Sequence, residues 1–99
     1  MTNAKTEFLE ELKEQENRKL LCAKIGHETS VLNIILKKRY TKKDFDEFLQ
    51  ELDFEYDSGY GSQEVFGIIW FDDGTWCERY EYDGSEHWEH KECPDWNYQ

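Results

Sequence analysis

The chain has 99 residues, 35% of them charged, with a net charge of −11 and a mean hydropathy of −0.99. These values fit one small domain and argue against a membrane span, since an apolar run such as Ile68–Phe71 is far shorter than the roughly twenty residues a spanning helix needs. The charge is uneven: residues 1–43 hold ten Lys/Arg and six Asp/Glu, whereas residues 44–99 hold two and seventeen, together with fourteen of the sixteen aromatics. Acidic disordered segments are poor in aromatics, so this second part reads as a folded body with a negative skin. Such a field repels nucleic-acid backbones and attracts basic protein surfaces. The opening MTNAKTEFLEELKEQ lacks the apolar centre of a signal peptide, and three cysteines form no even disulfide set. Both features lead to an expected cytoplasmic location.

A first helix, capped by Asn3 or Thr2, is expected to run to about Gln15, with Phe8, Leu9 and Leu12 as its apolar stripe. RKLLCAKIGH (Arg18–His27) reads as a strand with Leu21, Ala23 and Ile25 on one face and Leu20, Cys22 and Lys24 on the other. After the turn-like HETS, SVLNIILK (Ser30–Lys37) is a second strand that pairs with the first as a hairpin. Thr41–Leu52 is the clearest helix. Thr41 and Asp44 form a variant capping box, and Phe45, Phe48, Leu49 and Leu52 fall on one face. YDSGYGSQ (Tyr56–Gln63) is a loop. Asp73-Gly74 and Asp83-Gly84 then punctuate three strand-like runs, so residues 64–90 read as a three-stranded meander. The order α-β-β-α-β-β-β defines a single α+β domain with helices packed on one face of an antiparallel sheet.

Two-residue turns would place Phe71 opposite Trp76, Trp70 opposite Cys77, Tyr80 opposite His87, Arg79 opposite Trp88 and Cys77 opposite His90. One face then carries Val65, Ile69, Phe71, Trp76, Tyr80 and Tyr82. The other carries Phe66, Ile68, Trp70, Cys77 and Trp88. Both are apolar, so one packs on the helices and the other presents an aromatic patch to a partner.

The segment WCERYEYDGSEHWEHKEC (Trp76–Cys93) concentrates residues of the metal-ligand type. Cys77, His90 and Cys93 make a zinc option, weakened because His87 and His90 alternate to opposite faces and no C-x2-C knuckle exists. Glu78, Glu81, Glu86 and Glu89 offer carboxylate pairs, but abundance alone brings acids together in this chain, and no nucleophile acquires an orienting group or oxyanion site. The glycines of SGYGS lack the lysine and strand–loop–helix setting of a phosphate loop. KKRYTKK (residues 37–43) is the one basic cluster. It reads as a solvated strand end and helix cap, since the acidic remainder opposes direct nucleic-acid binding. The chain is therefore expected to be non-enzymatic, to need no cofactor, and to contact neither membrane nor nucleic acid directly.

Over residues 53–94, DFEYDSGYGSQEVFGIIWFDDGTWCERYEYDGSEHWEHKECP, with the distinctive pieces DGTW and EYDGSE, the chain resembles a group of small acidic accessory proteins of tailed bacteriophages. The resemblance implies action in the host cytoplasm against a host enzyme or defence system. Joined to the charge pattern, it gives the expectation of an inhibitor that binds a basic surface of a nucleic-acid-binding enzyme, of the anti-CRISPR or anti-restriction kind, with DNA mimicry as one route. The expected contact residues are Asp57, Tyr60, Glu78, Glu81, Asp83, Glu86, Trp88 and Glu89. The alternatives are a structural-zinc module and an assembly factor that homodimerises through the uncovered sheet face.

Overall fold

The computed structural model describes residues 1–30, 32–57, 62–82 and 84–94. Its elements in chain order are β1 (Thr2–Asn3), α1 (Ala4–Glu14), β2 (Leu20–His27), β3 (Ile34–Leu36), α2 (Lys42–Glu51), β4 (Glu55–Tyr56), β5 (Val65–Phe71), β6 (Trp76–Tyr82) and β7 (Ser85–Lys91). The expected α+β order is present, with the C-terminal meander. One small ladder is added, because β1 pairs with β4 and fastens the start of the chain to the segment after α2. The main sheet is antiparallel, in the order β3-β2-β5-β6-β7, and both helices cover one of its faces. Among the described residues no helix is long and apolar enough to cross a membrane.

The helix starts follow from their caps. Asn3 Oδ1 accepts the Thr6 amide at 2.9 Å and opens α1. At α2, Thr41 Oγ1 accepts from the Asp44 amide at 3.1 Å while the Asp44 carboxylate accepts from the Thr41 amide at 2.9 Å. The shorter aspartate thus completes the reciprocal box, and the Thr41 bonds hold its carboxyl below the usual range. The stripe residues Phe48 and Leu52 are buried, with Phe45 and Leu49 packed against them. Phe48 meets Phe8 of α1 edge to face at 5.2 Å. That contact joins the two helices over a floor of Ala23, Ile25, Leu36, Val65, Ile69 and Phe71.

Two local irregularities redistribute the faces. In β2 the pairing to β5 shifts between Leu20 and Cys22. This irregularity lets Leu20, rather than Leu21, join Ala23 and Ile25 in the core. The second lies at Asp73-Gly74. The Gly74 amide donates to the Phe71 carbonyl at 3.2 Å, and the Phe71 amide donates to the Thr75 carbonyl at 2.9 Å. Gly74 adopts φ +89°. This is a three-residue loop with a left-handed glycine, not the expected two-residue turn. Ile69 therefore faces Cys77 and Trp70 faces Trp76. A one-residue slip moves every side chain of the following strands to the other face. Cys77 and Trp88 consequently lie inside with Val65, Ile69 and Phe71, while Trp76, Tyr80 and Tyr82 lie outside with Phe66, Ile68 and Trp70. The Asp83-Gly84 register is as expected, with Tyr80 opposite His87, Arg79 opposite Trp88 and Cys77 opposite His90.

Gly67 is the tightest point between β2 and β5. It sits at φ +144°, and a Cβ there would lie 2.2 Å from the Lys24 carbonyl oxygen and 2.8 Å from Ile25 Cα. At Gly74 a Cβ would meet nothing within 4 Å. Gly67→Ala should therefore cost more than the about 1–3 kcal/mol of an unfavourable φ alone, whereas Gly74→Ala should stay within that range. Urea midpoints of the two variants test the ranking, and equal losses would refute the close approach at Gly67.

Candidate functional site

The outer sheet face is built by alternation along four strands. β5 sends out Phe66, Ile68 and Trp70, and β6 sends out Trp76, Tyr80 and Tyr82. Trp76 stands opposite Trp70. Phe66, Tyr80 and Tyr82 are 46%, 40% and 66% exposed, and the helices lie on the opposite side. β2 adds Cys22 beside Trp70 and Lys24 beside Ile68. β7 adds a charged border: Lys91 Nζ lies 3.3 Å from Glu78 and 3.5 Å from Glu89. Glu78 and Glu89 are directly opposite each other. Lys91 thus relieves a like-charge cross-strand pair, and Glu78 foremost raises its pKa. The result is an aromatic strip on β5 and β6 edged by paired charges.

The inner face holds a polar centre that the sequence did not reveal. Arg79, with its side chain 1% exposed, contacts Glu7 of α1 at 2.9 Å and Glu86 of β7, also 1% exposed, at 2.5 Å. It donates to Tyr56 Oη of β4 at 2.9 Å, and Tyr56 in turn donates a short hydrogen bond to Glu7. The guanidinium also lies 4.9 Å from the Trp88 ring centre and 5.6 Å from that of Tyr56. Glu86 accepts the amides of Glu64 and Val65 at 2.7 and 3.0 Å, which ties the start of β5 to β7 across the sheet. Burial would push the Arg79 pKa down, but Glu7, Tyr56 and Glu86 outweigh it and the net shift is upward. Burial, then the bond to Glu7, pushes the Tyr56 hydroxyl up. The available signal was compositional: Arg79 and Lys91 are the only Lys/Arg in residues 44–99, against seventeen acids. Both are consumed by carboxylates.

The expected contact residues separate accordingly. Glu78 and Glu89 are on the outer face. Glu81 is exposed at the end of β6, where its carboxylate accepts the Gly84 amide at 2.8 Å. Asp57 is half-buried after β4. Tyr60 and Asp83 lie outside the described residues. Glu86 and Trp88 are only 5% and 6% exposed. The register that carries Arg79 inward carries their side chains with it, so those side chains lie beneath the outer face and are not part of it.

Cys77 and His90 do face each other. Cys77 is buried with its thiol 3.4 Å from Glu11, and burial followed by that carboxylate pushes its pKa up. Both effects oppose the thiolate that zinc binding or nucleophilic attack requires. His90 lies against Phe71, with ring centres 6.0 Å apart, His87 is on the other face, and Cys93 is exposed. Among the described residues no group of three or more His, Cys, Asp and Glu side chains is arranged to hold a metal ion. In KKRYTKK, Tyr40 turns inward, donating to the Leu20 carbonyl at 3.0 Å and stacking on Phe45, while Lys37, Lys38, Arg39, Lys42 and Lys43 are exposed.

Comparison with protein-family models, curated proteins and solved structures finds no match to this chain.

Arg79→Met should destabilise the fold by about 3–5 kcal/mol, because it leaves the buried Glu86 carboxylate and the half-buried Glu7 carboxylate without their cation. The triple variant Arg79→Met/Glu86→Leu/Glu7→Leu should recover much of that loss. Denaturant unfolding of both separates a charge-pairing role from simple packing; equal instability would count against pairing. Thiol labelling of the native protein should modify Cys93 first and leave Cys77 untouched until denaturant is added. Labelling of Cys77 at the native rate of Cys93 would contradict its placement.

Proposed function

We propose that this chain is a non-enzymatic binding protein whose target is a basic protein surface, that of a nucleic-acid-binding enzyme in a host defence system such as a CRISPR or restriction nuclease. The outer sheet face carries the reading. Phe66, Trp70, Trp76, Tyr80 and Tyr82 stand on one side of a continuous sheet, in a chain of net charge −11. Contiguous aromatic patches on a small domain mark interaction surfaces, and aromatic anchors supply most of the energy in protein interfaces. The acidic field selects the sign of the partner and speeds the encounter. A surface built to hold phosphates is basic, so an acidic competitor can occupy it and exclude the nucleic acid. Carboxylates standing where phosphates would lie are the DNA-mimic form of this reading. It places the protein in the host cytoplasm.

The test has two stages. Affinity capture from bacterial lysate at low salt should retrieve a basic nucleic-acid-binding enzyme, and adding the purified protein should displace nucleic acid from that enzyme. Trp70→Ser/Trp76→Ser should weaken the complex by at least about tenfold, since interface aromatics are commonly worth 2 kcal/mol or more. Capture that leaves nucleic-acid binding intact would overturn the reading. So would a tight dimer in sedimentation that buries this same face and retrieves no partner, which is the assembly-factor outcome.

A further inference from the structure

The free edge of β7 is separate from the aromatic face. β7 ends the sheet and, among the described residues, pairs only with β6. It is seven residues long, unbroken in register from Trp76 opposite Lys91 to Tyr82 opposite Ser85, and contains no proline. Exposed edges are normally shortened, bulged, charged or covered; β7 carries charge, but it is neither short nor bulged, and among the described residues no second strand covers it. The other edge strand, β3, has only three residues.

The turn fixes which backbone groups are free. Tyr82 and Ser85 flank a two-residue loop, so they form a hydrogen-bonded pair. In an antiparallel ladder the bonded pairs alternate. Ser85, His87, Glu89 and Lys91 therefore direct their amides and carbonyls to β6. Glu86, Trp88 and His90 direct theirs to the open edge. Three donor–acceptor sets are thus displayed in the spacing that an added strand would match.

Beneath this edge runs a groove of about 310 Å³ lined by Glu7, Glu10, Glu11, Glu14, His87 and Trp88. No lysine or arginine lines it. Glu7 is committed to Arg79 and Tyr56, and Glu11 accepts from Gln15 and Cys77. The side chains of Glu10 and Glu14 have no hydrogen bond or ion pair among the described residues. α1 runs alongside the strand, because Glu7 reaches the Glu86 end through Arg79 and Glu11 reaches Cys77, opposite His90. Alternate side chains of an added strand recur about every 6.7 Å, close to the about 5.4 Å between successive turns of the helix.

We propose that this edge receives an extended basic segment of the partner as a sixth strand, with lysine or arginine at alternate positions meeting the glutamates of α1. The backbone edge supplies the pairing, and the carboxylates supply the choice of sign. The inference rests on the reading of this chain as a binder of basic protein surfaces, but uses a different part of the molecule.

The probe is the peptide acetyl-KTKTKTKT-amide, with acetyl-ETETETET-amide as control, titrated into the full chain and followed by amide NMR. Binding of the lysine peptide should shift and protect the amides of Glu86, Trp88 and His90 more than those of His87 and Glu89, and the glutamate peptide should do nothing. Glu10→Lys/Glu14→Lys should weaken binding by about tenfold, since each reversal replaces attraction with repulsion. His90→Pro should also weaken it, because it removes one outward amide and leaves the β6 ladder intact. Trp70→Ser/Trp76→Ser should bind the peptide like the native chain, which separates failure of the edge from failure of the aromatic face. No binding of the lysine peptide, equal binding of both peptides, or binding that is unchanged in Glu10→Lys/Glu14→Lys would overturn the proposal.

Discussion

The Arg79–Glu86 pair is the constraint on which the rest of the structure depends. The guanidinium sits at the meeting point of β6, β7, α1 and β4, and Glu86 extends its reach to the amides that begin β5. A buried ion pair is a poor source of net stability, because desolvating both groups offsets most of their attraction. Its stronger effect is on register. A one-residue slip at the first turn of the meander would turn Arg79, Glu86 and Trp88 outward relative to β5 and bring Trp76, Tyr80 and Tyr82 in. In the observed register Arg79 finds two carboxylates, a hydroxyl and two rings. The polar centre therefore supplies a reason for one pairing among two that hydrophobicity ranks nearly equally.

That near-degeneracy also explains which features could be read in advance. The caps at Asn3 and Thr41, the Phe45–Leu52 stripe and the second turn are local, and each is encoded within a few residues. Asp73-Gly74 is local as well, yet Asp-Gly serves both two- and three-residue loops. Here Asp73 accepts from the amide and hydroxyl of Thr75 at 3.0 and 2.6 Å, and it meets Arg18 at 3.0 Å. These bonds favour the longer loop, and one of them comes from 55 positions upstream. The aromatic patch was legible as a surface, but half of its membership was not, because membership follows register. The partners of Arg79 were still less accessible: Glu7 is 72 positions away.

The same network shapes the electrostatics. With only two Lys/Arg in residues 44–99, both held by carboxylates, that part draws further ion pairs from Lys5, Arg18 and Lys42, to Asp53, Asp73 and Asp46, and still keeps a large excess of acids. The exposed cations of residues 37–43 follow β3, at the other edge of the sheet from β7. Four inter-strand steps separate the two edges by about 19 Å. That exceeds two screening lengths of about 8 Å at physiological salt. The two ends therefore act as separate fields, and net charge alone misdescribes the molecule: its surface presents a basic border, an aromatic face and an acidic edge in different directions.

Rigidity links the buried centre to those surfaces. Association costs the ordering of side chains and segments at the interface, and a scaffold already held in one conformation avoids part of that cost. Glu86 and Trp88 touch no solvent to speak of, yet they fix β7 against β6 and α1, and thereby hold both the acidic groove and the outer row of Trp76, Tyr80 and Tyr82 in place. Residues that first suggest themselves as contacts because they are acidic or aromatic can serve binding from the opposite side of the sheet. Under the proposed function their effect on a partner would pass through the geometry of the edge and not through touch, so substitutions at Glu86 and at Glu89 should be understood as acting on different physical quantities, the first on the stability of the sheet and the second on its surface charge.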